Sequence, residues 1–240
     1  MSDDFVKIKT SLLTFHTDRP IMEDANKLKG YVANQFREHS IFHNHYGNRC
    51  LFVDSRVQYK IINNIGYILG IEEGAEAIKM LSDFNELHLG KSIYKARPIF
   101  CDKEEIITKT DEFVQYDFKS PWVALNDDNY DIYKKLYKSR EHTKIKLFLN
   151  NILRGNMMSL CKTIGLYVKE EVCVQTRLKK VNFVYKVGRP TFLGEFRVNI
   201  AIPDFFGIGG KVSTGFGVIK RRLNNNHYLA KKDQNIMQNI

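Results

Sequence analysis

The chain has 240 residues, 43% of them hydrophobic and 12% aromatic, which excludes disorder and suffices for one large domain or two of about 100 to 120 residues, each with its own core. No stretch approaches the roughly 18 consecutive apolar residues of a membrane span, and the opening MSDDFVKIKT has no apolar run of a secretory signal, so a cytoplasmic protein without membrane contact is expected. The net charge of +10 is uneven: residues 1–120 carry 16 Lys and Arg against 18 Asp and Glu, while residues 121–240 carry 21 against 9, giving halves of −2 and +12. A half this basic, with no membrane-type amphipathic helix, points to a polyanion, nucleic acid first.

Residues 5–15, rich in β-branched and apolar side chains, read as a strand. Ala25, Leu28, Val32 and Phe36 then form one stripe of an amphipathic helix, with Asp and Glu at its start. After the polar and aromatic SIFHNHYGNR, Val57, Tyr59 and Ile61 alternate with Arg56, Gln58 and Lys60. The Asn63-Asn64 dipeptide turns the chain into a second strand over 65–71. A helical stripe over 73–87 (Ala75, Ile78, Leu81, Phe84) and a strand from His88 to Phe100 complete the order β-α-β-β-α-β. That is the ferredoxin-like unit, whose open sheet face is a common RNA-binding surface.

The second half starts near Asp111 with a strand that breaks at Ser120-Pro121. A long helix over about 128–160 follows, with Gly155 as its expected break, then alternating strands over 180–187 and 192–202, a glycine-rich segment and a last strand ending at Arg221-Arg222. The expected class is α+β, two tandem ferredoxin-like domains over 1–110 and 111–223, with an Asn- and Lys-rich tail over 224–240. The four cysteines, Cys50, Cys101, Cys161 and Cys173, show no C-x-x-C spacing; they read as small core residues with no metal or disulfide chemistry.

Two segments could carry chemistry. Gly207, Gly209, Gly210, Gly215 and Gly217 fall within eleven residues together with Lys211, Ser213 and Thr214. Glycines let backbone N–H groups converge on an anion and lysine adds a charge, so phosphate is the natural guest. The nucleotide-loop patterns G-x-x-x-x-G-K-[ST] and G-x-G-x-x-G both fail in register at Val212. The alternative is a glycine-rich hairpin without a ligand. In the other segment His43 and His45 flank Asn44. Two imidazoles at this spacing can act as acid and base in phosphodiester cleavage, or simply be solvated. A zinc site would need a third and fourth ligand from a second His/Cys cluster, which the chain lacks.

The two segments together carry a resemblance. The run G-I-G-G-K-V-S-T-G-F-G-V-I-K resembles the glycine-rich loop of the CRISPR-associated endoribonucleases that process precursor crRNA, within the repeat-associated (RAMP) superfamily. F-H-N-H, followed by V-Q-Y-K-I-I and I-L-G-I-E-E-G, is similar to the branch acting in type I-B systems.

The resemblance implies metal-independent cleavage within the CRISPR repeat, with 2′-OH attack leaving a 2′,3′-cyclic phosphate and a 5′-OH, and no cofactor. It places catalysis on His43 and His45 and RNA contacts on Gly207 to Gly217, with Arg56 and Gln58 on the neighbouring strand. Where relatives often carry a tyrosine after the histidine pair, this chain has Leu51, Phe52 and Val53, which leaves Tyr46, Tyr59 or Lys60 for a supporting role. The expected partner is repeat RNA, with other CRISPR effector subunits or a second copy of the chain as further candidates. The competing readings are a non-catalytic RNA-binding subunit and, more remotely, a cyclic phosphodiesterase, for which the chain lacks the paired H-x-[ST] elements.

Overall fold

The computed structural model describes residues 5–43, 45–46, 49–50, 55–181 and 187–222. Strand β1 (Phe5–Thr17) places Leu13 and Phe15 on one face and Ile8 on the other, following the two-residue period of a strand buried on both sides. Helix α1 (Ala25–Gln35) starts at Asp24, whose carboxylate accepts from the Lys27 N–H at 3.1 Å. It buries Ala25, Leu28 and Val32, the expected stripe.

A 3₁₀ turn over Ser40–Phe42 leads to the two-residue strands β2 (His45–Tyr46) and β3 (Arg49–Cys50), which pair with one another. Strands β4 (Val57–Ile62) and β5 (Ile65–Ile71) form the expected hairpin. Asn63 and Asn64 both adopt positive φ, 50° and 64°, the two-residue turn that matches strand twist and that asparagine tolerates.

Helix α2 (Glu73–Ala77) is shorter than the expected 73–87. It tightens into a 3₁₀ turn over Ile78–Leu81, where three residues per turn bring Ile78 and Leu81 to the same side, both fully buried. Strand β6 (Glu86–Leu89) then turns at Gly90 into β7 (Ser92–Phe118).

The expected strand from His88 to Phe100 is broken by that turn, and its remainder and the strand beginning near Asp111 are parts of this one 27-residue strand. β7 pairs with β1 along Ala96 to Thr108. It pairs with β9 (Thr191–Ala201) at Thr108 and Lys109 and, past an irregularity, from Val114 to Asp117, and with β10 (Ile219–Arg221) from Tyr116 to Phe118. Between them lie α3 (Asp127–Lys138), α4 (His142–Thr163) and β8 (Val174–Val181).

The expected single helix is therefore two, and the break falls at Ser139–Glu141, where Arg140 takes a left-handed φ of 56°. Gly155 lies within α4, and a Cβ there would meet nothing within 4 Å. The expected strand over 180–187 is observed as β8 up to Val181; Phe183 and Tyr185 lie outside the described residues, as does the tail from 223.

The strand order is β7-β1-β5-β4 in the first unit and β10-β7-β9-β8 in the second, so two tandem ferredoxin-like units share one strand. In the second, the position of the second helix is taken by residues 202–218, whose one helical element is a 3₁₀ turn over Val212–Thr214. Five glycines in this stretch are incompatible with a stable helix.

The two units cover opposite faces of the continuous sheet. Leu13, Phe15, Tyr59 and Ile68 pack with Leu28 and Val32 of α1. Alternate residues of the same strands, Ile8, Leu69, Ile71 and Ile107, join a second core with Leu149, Leu153 and Met157 of α4. The first unit's open face, expected to meet RNA, is thus closed at β4 and β5, where Gln58 and Lys60 are buried.

Of the cysteines, Cys161 is in the core, whereas Cys101 and Cys173 are exposed; the side chain of Cys50 lies outside the described residues. Among the described residues no helix is long and apolar enough to cross a membrane.

Candidate active site

The histidine segment begins at the 3₁₀ turn before His43. Phe42 at the end of that turn is fully buried, and its ring packs 4.9 Å from that of Phe36 at the end of α1. His43 follows, half-buried, with Nε2 3.3 Å from the Phe36 carbonyl oxygen. A carbonyl only accepts, so Nε2 is the donor in this contact, and whenever the ring is neutral Nδ1 is its acceptor. His45 and Tyr46 are described by their backbone in β2; their side chains, Asn44, and Leu51, Phe52 and Val53 lie outside the described residues.

Strand β4 returns directly beneath this turn. The Tyr59 hydroxyl, fully buried, donates to the Phe42 carbonyl at 3.2 Å, and burial raises its pKa, keeping the proton on the phenol. On the other face of β4, Gln58 is buried and its Oε1 accepts twice, from Lys60 Nζ at 2.9 Å and from the Gly207 N–H at 3.0 Å. Arg56, at the head of the strand, places Nε 3.1 Å from a carboxylate oxygen of the largely exposed Glu73. It also lines a cleft of about 70 Å³ with Gln58, Asn156, Ser159, Gly207 and Gly209.

The glycine-rich segment docks on the same elements. Its 3₁₀ turn contacts both β4 and α1. Lys29 Nζ on α1 donates to Ser213 Oγ at 3.3 Å, and the Thr214 hydroxyl donates to the Lys211 carbonyl at 3.0 Å. Its other side is held by the chain after β7. The N–H groups of Gly210, Gly217 and Val218 donate to Val123 O, Pro121 O and Ser120 Oγ at 2.9 Å each.

These contacts revise the chemical reason for the glycines. The N–H groups of Gly207, Ile208, Gly210, Thr214, Gly215, Phe216 and Gly217 bond to protein acceptors, so these seven are not open to an anion. The glycines instead permit close approach. A Cβ on Gly209 would lie 2.4 Å from the buried Trp122 indole nitrogen, and one on Gly217, at φ 63°, would lie 2.0 Å from Ile208 O.

Lys60 is entirely buried, and desolvation holds its amine well below the usual 10.5. Below pH 10.5 the unfolded chain binds the proton that the folded chain has already released, so stability rises with pH across that window and levels off above it. Lys60→Met is expected to flatten that rise, read from urea midpoints measured as the pH approaches 10.5 from below.

The histidine turn and the glycine-rich loop, 164 residues apart at His43 and Gly207, thus rest on the same helix and the same strand. The pattern is matched by family models that span nearly all of both units, the Cas6b N-terminal domain over residues 6–106 and the Cas6b C-terminal domain over residues 108–222. The chain belongs to the Cas6b family.

A crystal structure of Cas6b is similar over 90% of this chain and 100% of its own, with a TM-score of 0.83 and 30% identity. A crystal structure of the CRISPR RNA processing endoribonuclease Cas6b covers the same shares at a TM-score of 0.71 and 27% identity. The uncharacterized protein MJ0978 of Methanocaldococcus jannaschii is 35% identical over 147 residues, 60% of this chain and 97% of its own length. A Cas6 product complex, at 11% identity and a TM-score of 0.52, shares the fold.

Within this Cas6b frame, sequence reasoning did not single out Lys29, a helix residue that reaches the glycine-rich loop, nor the Ser120–Val123 segment that anchors the loop from behind. The first carried only a helical charge pattern. The second carried a turn signal at Ser120-Pro121 with no indication of what it would meet.

Proposed function

We propose that this Cas6b protein is an endoribonuclease that binds CRISPR repeat RNA and cleaves precursor crRNA within the repeat. The ribose 2′-oxygen attacks the adjacent phosphorus as the bond from phosphorus to the 5′-oxygen breaks, leaving a 2′,3′-cyclic phosphate and a 5′-OH. His43 takes the 2′-OH proton at Nδ1, and His45 returns a proton to the departing 5′-oxygen. Lys29, which donates to Ser213, and Lys211, two residues before it in the chain, supply charge for the phosphates, while Tyr59, Gln58 and Lys60, buried as they are, act from behind the site.

The observation that carries this reading is the convergence of the His43 turn and the glycine-rich loop on α1 and β4 in a chain of the Cas6b family. Repeat RNA incubated with the protein in EDTA is expected to be cut, with cyclic phosphate on the upstream product. A 2′-deoxy substitution at the nucleotide preceding the scissile phosphate is expected to abolish cutting without loss of binding, since it removes the nucleophile and leaves the phosphates in place. A strict requirement for Mg²⁺ or Mn²⁺ would overturn the chemistry, and binding of repeat RNA without cutting under any condition would favour the RNA-binding-subunit reading.

A further inference from the structure

Strand β4 touches the two candidate motifs with consecutive residues that point to opposite faces of the sheet. Tyr59, on the α1 side, donates its hydroxyl to the Phe42 carbonyl at 3.2 Å, one residue before His43. Gln58, on the opposite side, accepts the Gly207 N–H at 3.0 Å, at the first glycine of the loop. Both side chains are buried, Tyr59 completely.

Gln58 is itself locked. Lys60 Nζ donates to the same Oε1 at 2.9 Å, and Gln58 Nε2 donates to Ser55 O at 3.4 Å. A fully buried lysine costs desolvation free energy, and a well-packed apolar residue would fill the space without that cost. Its amine instead reinforces the amide orientation that Gly207 requires, because a Gln with its oxygen and nitrogen exchanged would turn a donor toward the Gly207 N–H and lose the Lys60 bond to Oε1.

We propose that β4 is the positioning element that sets the histidine turn and the glycine-rich loop relative to one another, Tyr59 holding the first through Phe42 and the Lys60-locked Gln58 holding the second through Gly207. The functional consequence rests on the endoribonuclease reading; the mechanical one does not. Because the two bonds leave opposite faces of one strand, each can be cut alone. Loss of the Tyr59 hydroxyl frees the histidine turn and degrades the rate of the bound complex. Loss of the Gln58 acceptor frees the loop and degrades RNA affinity.

The test uses Tyr59→Phe, Gln58→Leu and Gln58→Glu in the full chain, the last keeping an acceptor for Gly207. Single-turnover cleavage of repeat RNA at saturating protein is expected to fall about tenfold in Tyr59→Phe with the dissociation constant within twofold, about the loss of one hydrogen bond. Gln58→Leu should weaken binding about tenfold with the saturated rate within threefold, and Gln58→Glu should restore most of the affinity.

Amide hydrogen exchange provides a readout independent of cleavage. Exchange in the segment 36–43 is expected to accelerate in Tyr59→Phe alone, and exchange around Gly207 in Gln58→Leu alone. Accelerated exchange in the two segments, each in its own variant, on a protein that never cuts RNA would sink the endoribonuclease reading and leave the mechanical role standing. Unchanged exchange in both variants, or acceleration of both segments together in each, would overturn the proposal. So would normal exchange patterns accompanied by wild-type rate and affinity.

Discussion

Cleavage of repeat RNA by His43→Ala and by His45→Ala is expected to be slower than wild type by about 10² to 10⁴ in each case, with RNA affinity unchanged within about tenfold. The asymmetry between rate and affinity follows from the role proposed. A group that moves a proton in the transition state contributes little to the ground-state complex, so its removal lowers the saturated rate rather than binding. For His43 the geometry adds a reason why glutamine would not substitute. The ring spends Nε2 on the Phe36 carbonyl, which leaves Nδ1 for proton transfer, so that donor and acceptor belong to one rigid conjugated ring. Single-turnover rates with each variant, alongside a binding titration, decide the matter. Two single variants that both cut at the wild-type rate would make the histidines bystanders and return the protein to the class of RNA-binding subunits.

Gly215→Val is expected to cost more RNA affinity than Lys211→Ala, although glycine has no side chain to lose. Gly215 sits at φ 90°, and a Cβ there would lie 2.8 Å from the Ala25 Cβ of α1 and 3.2 Å from the Tyr59 carbonyl of β4. A β-branched residue must therefore adopt a left-handed backbone and also push the loop off both elements that hold it. The combined penalty is about 2–4 kcal/mol, directed at the docked state of the loop.

Lys211→Ala removes one charge and, at a position that already carries a Cβ, adds no such clash. Its affinity should fall alike for repeat and unrelated RNA, with a salt slope shallower by about 0.7, the release of one counterion's worth from a single strand. Titrations of wild type and both variants at several salt concentrations check the order of the effects. Identical affinity and slope for Lys211→Ala and wild type would remove that lysine from the RNA interface.

Local structure was legible where local chemistry decides it. Two asparagines between two short runs of alternating residues announced a tight turn, and Asn63 and Asn64 make it. The spacing of Ala25, Leu28 and Val32 announced a buried helical face, and the alternation of Val57, Tyr59 and Ile61 against Gln58 and Lys60 announced the strand that became β4. The tandem ferredoxin-like order followed from the succession of these elements, and the pairing of a histidine segment with a glycine-rich one carried the family resemblance across both halves.

What only the tertiary structure decided depends on partners far away in the chain. That β7 runs unbroken through both units follows from β1 pairing its first part and β9 its second, and no local pattern distinguishes this from two strands. Polar Gln58 and Lys60 alternate with apolar neighbours just as a solvated face would, yet both are buried, because residues 202–218 from the other unit cross over them and Gly207 supplies a donor to the amide. The glycines suggested an anion cradle because glycine frees backbone N–H groups in general. Here the N–H groups of Gly207, Gly210, Gly215 and Gly217 bond to Gln58, Val123, Val212 and Pro121, since a buried N–H must find an acceptor and the nearest ones were supplied by the protein's own fold.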